Sequence, residues 1–192
     1  MSYDPNGEIK IKDDVPYNSY MFLIPSLLII GLTNFFYNKQ VKNTNITVFI
    51  AIALNFCWAG SLIAISFMEA WVKFRSPLVT KQIGVSVGRR VFYGLNLIEC
   101  TLATGLVCCM IILNKVRKLN INIPYSMYSV IIVLILDVVW LQPNLDLRAR
   151  EIIAEGTSKS TKLWIHFVYV FGEIVKLASI INNGMFLTSL VN

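Results

Sequence analysis

The stretch VFIAIALNFCWAGSLIAISFM, Val48–Met68, has no charged side chain. As a helix rising ~1.5 Å per residue it is long enough to cross a hydrocarbon core of ~30 Å. Comparable apolar runs follow at Val91–Leu113, Tyr125–Leu141 and Leu163–Leu190, and a weaker one precedes it at Tyr20–Tyr37. The repetition predicts an all-α, polytopic transmembrane helical bundle. It has four core spans at residues 48–68, 91–113, 125–141 and 163–190, with an extra N-terminal span at 20–37. That extra stretch holds Pro25, Gly31, Thr33 and Asn34. Such residues are tolerated in membrane helices, so it is read as a fifth span, a surface-lying helix being the alternative. Residues 1–19 then form a polar tail and 20–190 a single membrane domain.

Composition agrees with that class. Of 192 residues, 56% are hydrophobic, and the mean hydropathy is +0.63. A transmembrane β-barrel needs short segments alternating apolar and polar, which these uninterrupted blocks are not. The N-terminal MSYDPNGEIKIKDD mixes acids and bases. It lacks the basic start, apolar core and small-residue cleavage site of a secretory signal, so the first apolar run is expected to remain. The expected localisation is a membrane, crossed several times.

A net charge of +6 in a soluble chain would suggest nucleic acid, but here the basic residues follow the loops. With five spans, Lys10, Lys12, Lys73, Arg75, Lys81, Arg89, Arg90, Arg148, Arg150, Lys159 and Lys162 fall on one side, and only Lys39, Lys42, Lys115, Arg117 and Lys118 on the other. The positive-inside rule places the richer side in the cytoplasm or its equivalent. The expected partners are therefore the lipid bilayer and, compatibly, a second copy or another membrane protein, with no nucleic acid. The segments Glu69–Arg90 and Asp146–Glu155 are read as one cytoplasmic cap. The first mixes basic and aromatic residues, as for a segment in the headgroup layer or folded against the bundle mouth, and the second forms a short surface helix. Candidate cap residues are Arg89, Arg90, Asp146 and Arg148.

Chemistry inside a bilayer belongs to ionisable groups, since a charge at its centre costs on the order of 2.5–3.5 kcal/mol even on lenient scales. The candidate intramembrane polar cluster is Asn96, Glu99, Asp137, His166, Glu173 and Lys176. Counting from Arg90 puts Glu99 ~13 Å deep, and Asp137 is expected about one turn from the inner surface. His166 and Glu173, seven apart, share a helix face, and Lys176 follows Glu173 at the spacing of an intrahelical pair. Val48–Met68 itself reads as a packing wall offering Asn55 at most. Gly60 with Ala64, and Thr101 with Gly105, are expected close helix contacts.

Other sites are disfavoured. Cys57, Cys100, Cys108 and Cys109 lie in spans without a CxxC pattern and read as small packing residues. A single histidine could give at most one haem ligand, and a zinc set is lacking, so no metal or cofactor is expected. No Walker loop, glycine-rich dinucleotide motif opening a helix, or nucleophile elbow after a strand is present. The sequon Asn45-Ile46-Thr47 abuts a span and reads as chance.

The segments FMEAWVKFRSPLVTKQIGVSVGRRVFYGLNLIE, LQPNLDLRAREIIAEG and HFVYVFGEIVKL resemble a family of small four-span membrane proteins that includes the transmembrane protein 205-like proteins. The resemblance covers about Val48 to Ile180. It rests on Pro77, Gly88, Arg89, Asn96 and Glu99, then Asp146 and Arg148, then His166, Glu173 and Lys176. It implies the four-span architecture and brings no activity. Three functions fit the residues. The first is a non-catalytic membrane or assembly protein with an inward-facing polar cluster, and the second a small-solute or proton-coupled carrier. The third is a haem- or quinone-linked membrane oxidoreductase using His166.

Overall fold

The computed structural model describes residues 2–3, 9–10, 24–31, 44–117, 123–155 and 163–191. Among these, strands β1 (Ser2–Tyr3) and β2 (Ile9–Lys10) pair antiparallel, and everything longer is helical. Helix α1 covers residues 24–31, with Pro25 in its first turn, where a missing N–H costs nothing. The rest of the span expected at 20–37 lies outside the described residues, as do Lys12, Lys39, Lys42, Lys118, Lys159 and Lys162.

Four helical rods are long and apolar enough to cross a membrane: Asn45–Lys73, Lys81–Lys115, Tyr125–Ala154 and Trp164–Ser189. The first joins α2 (Thr44–Leu62), a π-helical stretch (Ile63–Glu69) and α3 (Ala70–Lys73). The second is α4 (Lys81–Arg117). The third joins α5 (Tyr125–Leu136), a second π-helical stretch (Asp137–Leu141) and α6 (Gln142–Glu155). The fourth is α7 (Leu163–Ser189). A π-turn fits one extra residue into a helix and is often found at functional sites. The second has a local cause. Pro143 donates no hydrogen bond and its ring opposes the carbonyl four residues back, so the ladder widens there. Asn144 Nδ2 then donates to the Trp140 carbonyl at 2.7 Å.

These rods refine one expectation and correct another. Within Glu69–Arg90, residues 81–90 form the first turns of α4, with 74–80 as the connection. Residues 146–155 are not a separate surface helix but the continuation of the third rod. The third rod continues through Pro143 by way of its π-turn, and Leu145, Leu147, Arg148, Ala149, Arg150 and Glu151 beyond it are good helix formers.

In the bundle α7 packs against both α2 and α5, α4 packs against α2, and α6 returns onto α4. Trp58, Leu62, Leu95, Leu106, Leu113, Val130, Ile180 and Leu187 fill the centre. Outward lie Phe49, Phe56, Ile132, Ile135, Phe171 and Ile174, all exposed, while Asn96, Glu99, Asp137, Glu173 and Lys176 are buried. Water would penalise so large an apolar surface; lipid does not.

Close contacts fall only partly where the sequence placed them. Gly105 is buried, and a Cβ there would meet Leu54 at 3.0 Å. Gly60 and Ala64 are exposed, and nothing lies within 4 Å of a Cβ at Gly60. The face they mark is turned away from the bundle. Across the half nearer Ser126, α5 and α7 are tied by polar groups. Ser129 Oγ and Ser179 Oγ lie 2.8 Å apart, and Ser126 bonds Asn183.

Candidate functional site: a midplane ion knot beneath a basic cavity

Lys176 is fully buried, and three carboxylates surround its ammonium. Glu99 Oε1 and Oε2 each accept a hydrogen bond from Nζ at 3.0 Å. Asp137 Oδ2 and Glu173 Oε1 form ion pairs with it at 2.7 Å. The outer ends of two carboxylates are held by the first rod. Trp58 Nε1 donates to Glu99 Oε1 at 2.8 Å, and Ser66 Oγ donates to Glu173 Oε2 at 2.6 Å. All four rods thus meet in one knot, and both π stretches border it, one carrying Ser66 and the other beginning at Asp137.

The knot lies at mid-helix. Trp58, Glu99 and Lys176 fall within about one residue of their rods' midpoints, and Asp137 within about three. Asp137 meets the same ammonium as Glu99 and Glu173, so the three carboxylates lie at one level of the bundle. The sequence suggested the Glu173–Lys176 pair but not Trp58 or Ser66, since Val48–Met68 read as an inert wall. An indole N–H and a hydroxyl on an otherwise apolar helix were the available signal. Asn55, the one polar residue noted on that wall, is buried, and its Nδ2 donates to the Ile180 carbonyl at 2.8 Å.

Charge does not balance here. Three carboxylates face one ammonium, and among the described residues no second cation pairs with them. Polar satisfaction is incomplete too. Asp137 Oδ1 and both polar atoms of the Asn96 side chain are buried without a hydrogen-bond partner among the described residues. Buried polar atoms are ordinarily paired, with water where protein is lacking.

A cavity of about 510 Å3 reaches from the basic end of the bundle to this knot. Ser66, Tyr169 and Glu173 line it at depth, while Lys73, Lys81, Arg89, Arg148 and His166 line it toward the end of the rods. Arg89 Nε pairs with Asp146, which also holds Arg150 Nε at 3.0 Å. This pairing, with Gln82 Nε2 on the Ile153 carbonyl at 3.5 Å, joins the beginning of α4 to α6 as a cap. Arg90 on the same turn is exposed.

The six expected cluster residues thus divide. Glu99, Asp137, Glu173 and Lys176 form the knot, and Asn96 lies buried one turn from Glu99. His166 lines the cavity, half exposed, and Arg148 acts on it electrostatically. Their division follows from helix length: seven residues along α7 separate His166 from Glu173, ~10 Å of rise.

The pentad Gly84–Val85–Ser86–Val87–Gly88 has the GxSxG spacing of serine hydrolases. It lies inside α4, however, and not on the strand-to-helix turn that exposes such a nucleophile. The chain matches no protein-family model, and no similar curated protein or solved structure was found.

Proposed function

We propose that this multi-pass membrane protein is a non-catalytic carrier, in which protons held at the midplane knot accompany a small solute entering through the basic cavity. One observation carries the reading. Glu173 belongs to both places, with Oε1 on Lys176, Oε2 on Ser66 and its side chain lining the cavity. A carboxylate shared between a solute path and a buried ion cluster is the minimal element by which occupancy and protonation influence each other. The surplus of two negative charges supports it, because isolated charge in a low-dielectric interior is neutralised by protons or a cation. By the positive-inside rule the cavity opens to the cytoplasmic side.

Infrared difference spectroscopy of the protein in lipid tests this. The expected result is a protonated carboxyl band near neutral pH that shifts in heavy water and is lost in Asp137→Asn or Glu173→Gln. A wild-type spectrum without that band would overturn the proton role.

A second reading, a purely structural knot, is favoured by its joining all four rods through Trp58, Glu99, Asp137 and Lys176. In that case Glu173→Gln leaves proton uptake unchanged and costs only stability.

A further inference from the structure

The cavity above the knot has a composition that specifies its occupant. Its wall is apolar, with Phe67, Phe92, Phe167, Val170 and Ile152 along it. Its rim is basic. Arg89 and Arg150 share a single carboxylate, Asp146. Among the described residues Arg148 has no such partner: its Nε is buried without a hydrogen bond there, while the residue lines the cavity. A guanidinium is always charged and presents a planar fork suited to carboxylate or phosphate. Leaving its N–H buried and unpaired is costly.

The opposite rim is shaped by two glycines. Cβ atoms at Gly84 and Gly88 would collide with the Phe74 ring and with Lys73 Nζ. These notches in α4 let the two side chains lie across the helix at the cavity edge. Lys73 Nζ is held there 5.2 Å from the Phe74 ring centre and 5.5 Å from that of Phe92, and 3.1 Å from Glu69 Oε2. Lys81 adds a further charge, exposed and without an ion pair among the described residues. Cations thus border an apolar cavity toward one end of the rods.

We infer that the cavity binds a single-chain amphiphile with an anionic head, phosphate or carboxylate, the head on Arg148 and the tail along the phenylalanine wall. Its volume falls among small-ligand pockets of about 300–1,000 Å3, which suits one chain and not a whole two-chain lipid. This names the solute class for the proposed carrier and rests on that reading only for the direction of entry.

Native mass spectrometry of the full chain released from a neutral detergent, with dodecyl phosphate as probe, provides the test. Inorganic phosphate serves as head alone and dodecanol as tail alone. The expected result is one dodecyl phosphate per chain, weakened about tenfold in Arg148→Gln, as for loss of one charge-assisted contact. Lys81→Gln, on an exposed side chain, should weaken it about twofold. Arg148→Lys, retaining the charge if the glutamine variant does not fold, should stay within about threefold. Wild-type binding by both Arg148→Gln and Lys81→Gln would overturn the proposal. So would dodecanol binding as tightly, or inorganic phosphate displacing the amphiphile at equal concentration. Dodecyl phosphate binding intact in a protein lacking the carboxyl band would refute the proton role and leave this inference standing; the converse would do the reverse.

Discussion

The midplane knot and the basic cap are made of the same side-chain types, acids shared among bases, yet they are built to opposite balances. In the knot three carboxylates share one lysine, with Lys176 and Glu99 wholly buried. In the cap two arginines share one aspartate, and Arg150 remains 40% exposed. Depth makes the difference. At the centre of a bilayer an unbalanced charge must recruit a proton, a cation or a polar partner, whereas near the headgroups water and lipid phosphate compensate it. On the carrier reading proposed above, the surplus negative charge would hold protons and the surplus positive charge an anionic head.

The strongest way to break this contrast is Lys176→Met. It strands three buried carboxylates, and the expected cost is about 3–5 kcal/mol, as for a buried pair losing one partner. Adding Glu173→Gln should recover part of it, measurable as thermal unfolding in a double-mutant cycle. A stable Lys176→Met protein would show that the charges are compensated elsewhere. Asp146→Asn is the matching change in the cap. It releases the buried Arg89 and the more exposed Arg150, so about 1–3 kcal/mol is expected from the same measurement. Salt is the gentlest discriminator. Between low and high ionic strength the penalty of Asp146→Asn should shrink while that of Lys176→Met holds, because screening acts on accessible charge. Equal salt sensitivity would mean that water reaches both networks alike.

Much of this architecture is legible along the chain, and the reasons it stops are local. Apolar run length places the four rods, but the rods outrun their hydrophobic cores, since 81–90 and 142–155 stay helical despite Gly84, Gly88 and Pro143. The tertiary structure adds that Asp137 shares one level with Glu99 and Glu173 around Lys176. Spacing on α7 identifies the Glu173–Lys176 pair correctly, and it also puts His166 on the face of Glu173, since both line the cavity, two turns apart. The small-residue rule picks Gly105 rightly and Gly60 wrongly, because it says that a helix can be approached and not from which side.

What the sequence by itself determined is the solvent and the class: uncharged runs of bilayer length leave only membrane helices, since unpaired backbone is intolerable in lipid. It also determined which residues had to be hidden, because an ionisable group within such a run must find partners. Who those partners are was decided by tertiary structure alone. Trp58 meets Glu99 across 41 positions, Ser66 meets Glu173 across 107, and Lys176 gathers acids from three helices. These pairings depend on how helices rotate about their axes. That rotation is set by two π-turns, a proline and the fit of small residues, none of which a periodic reading of one helix can supply.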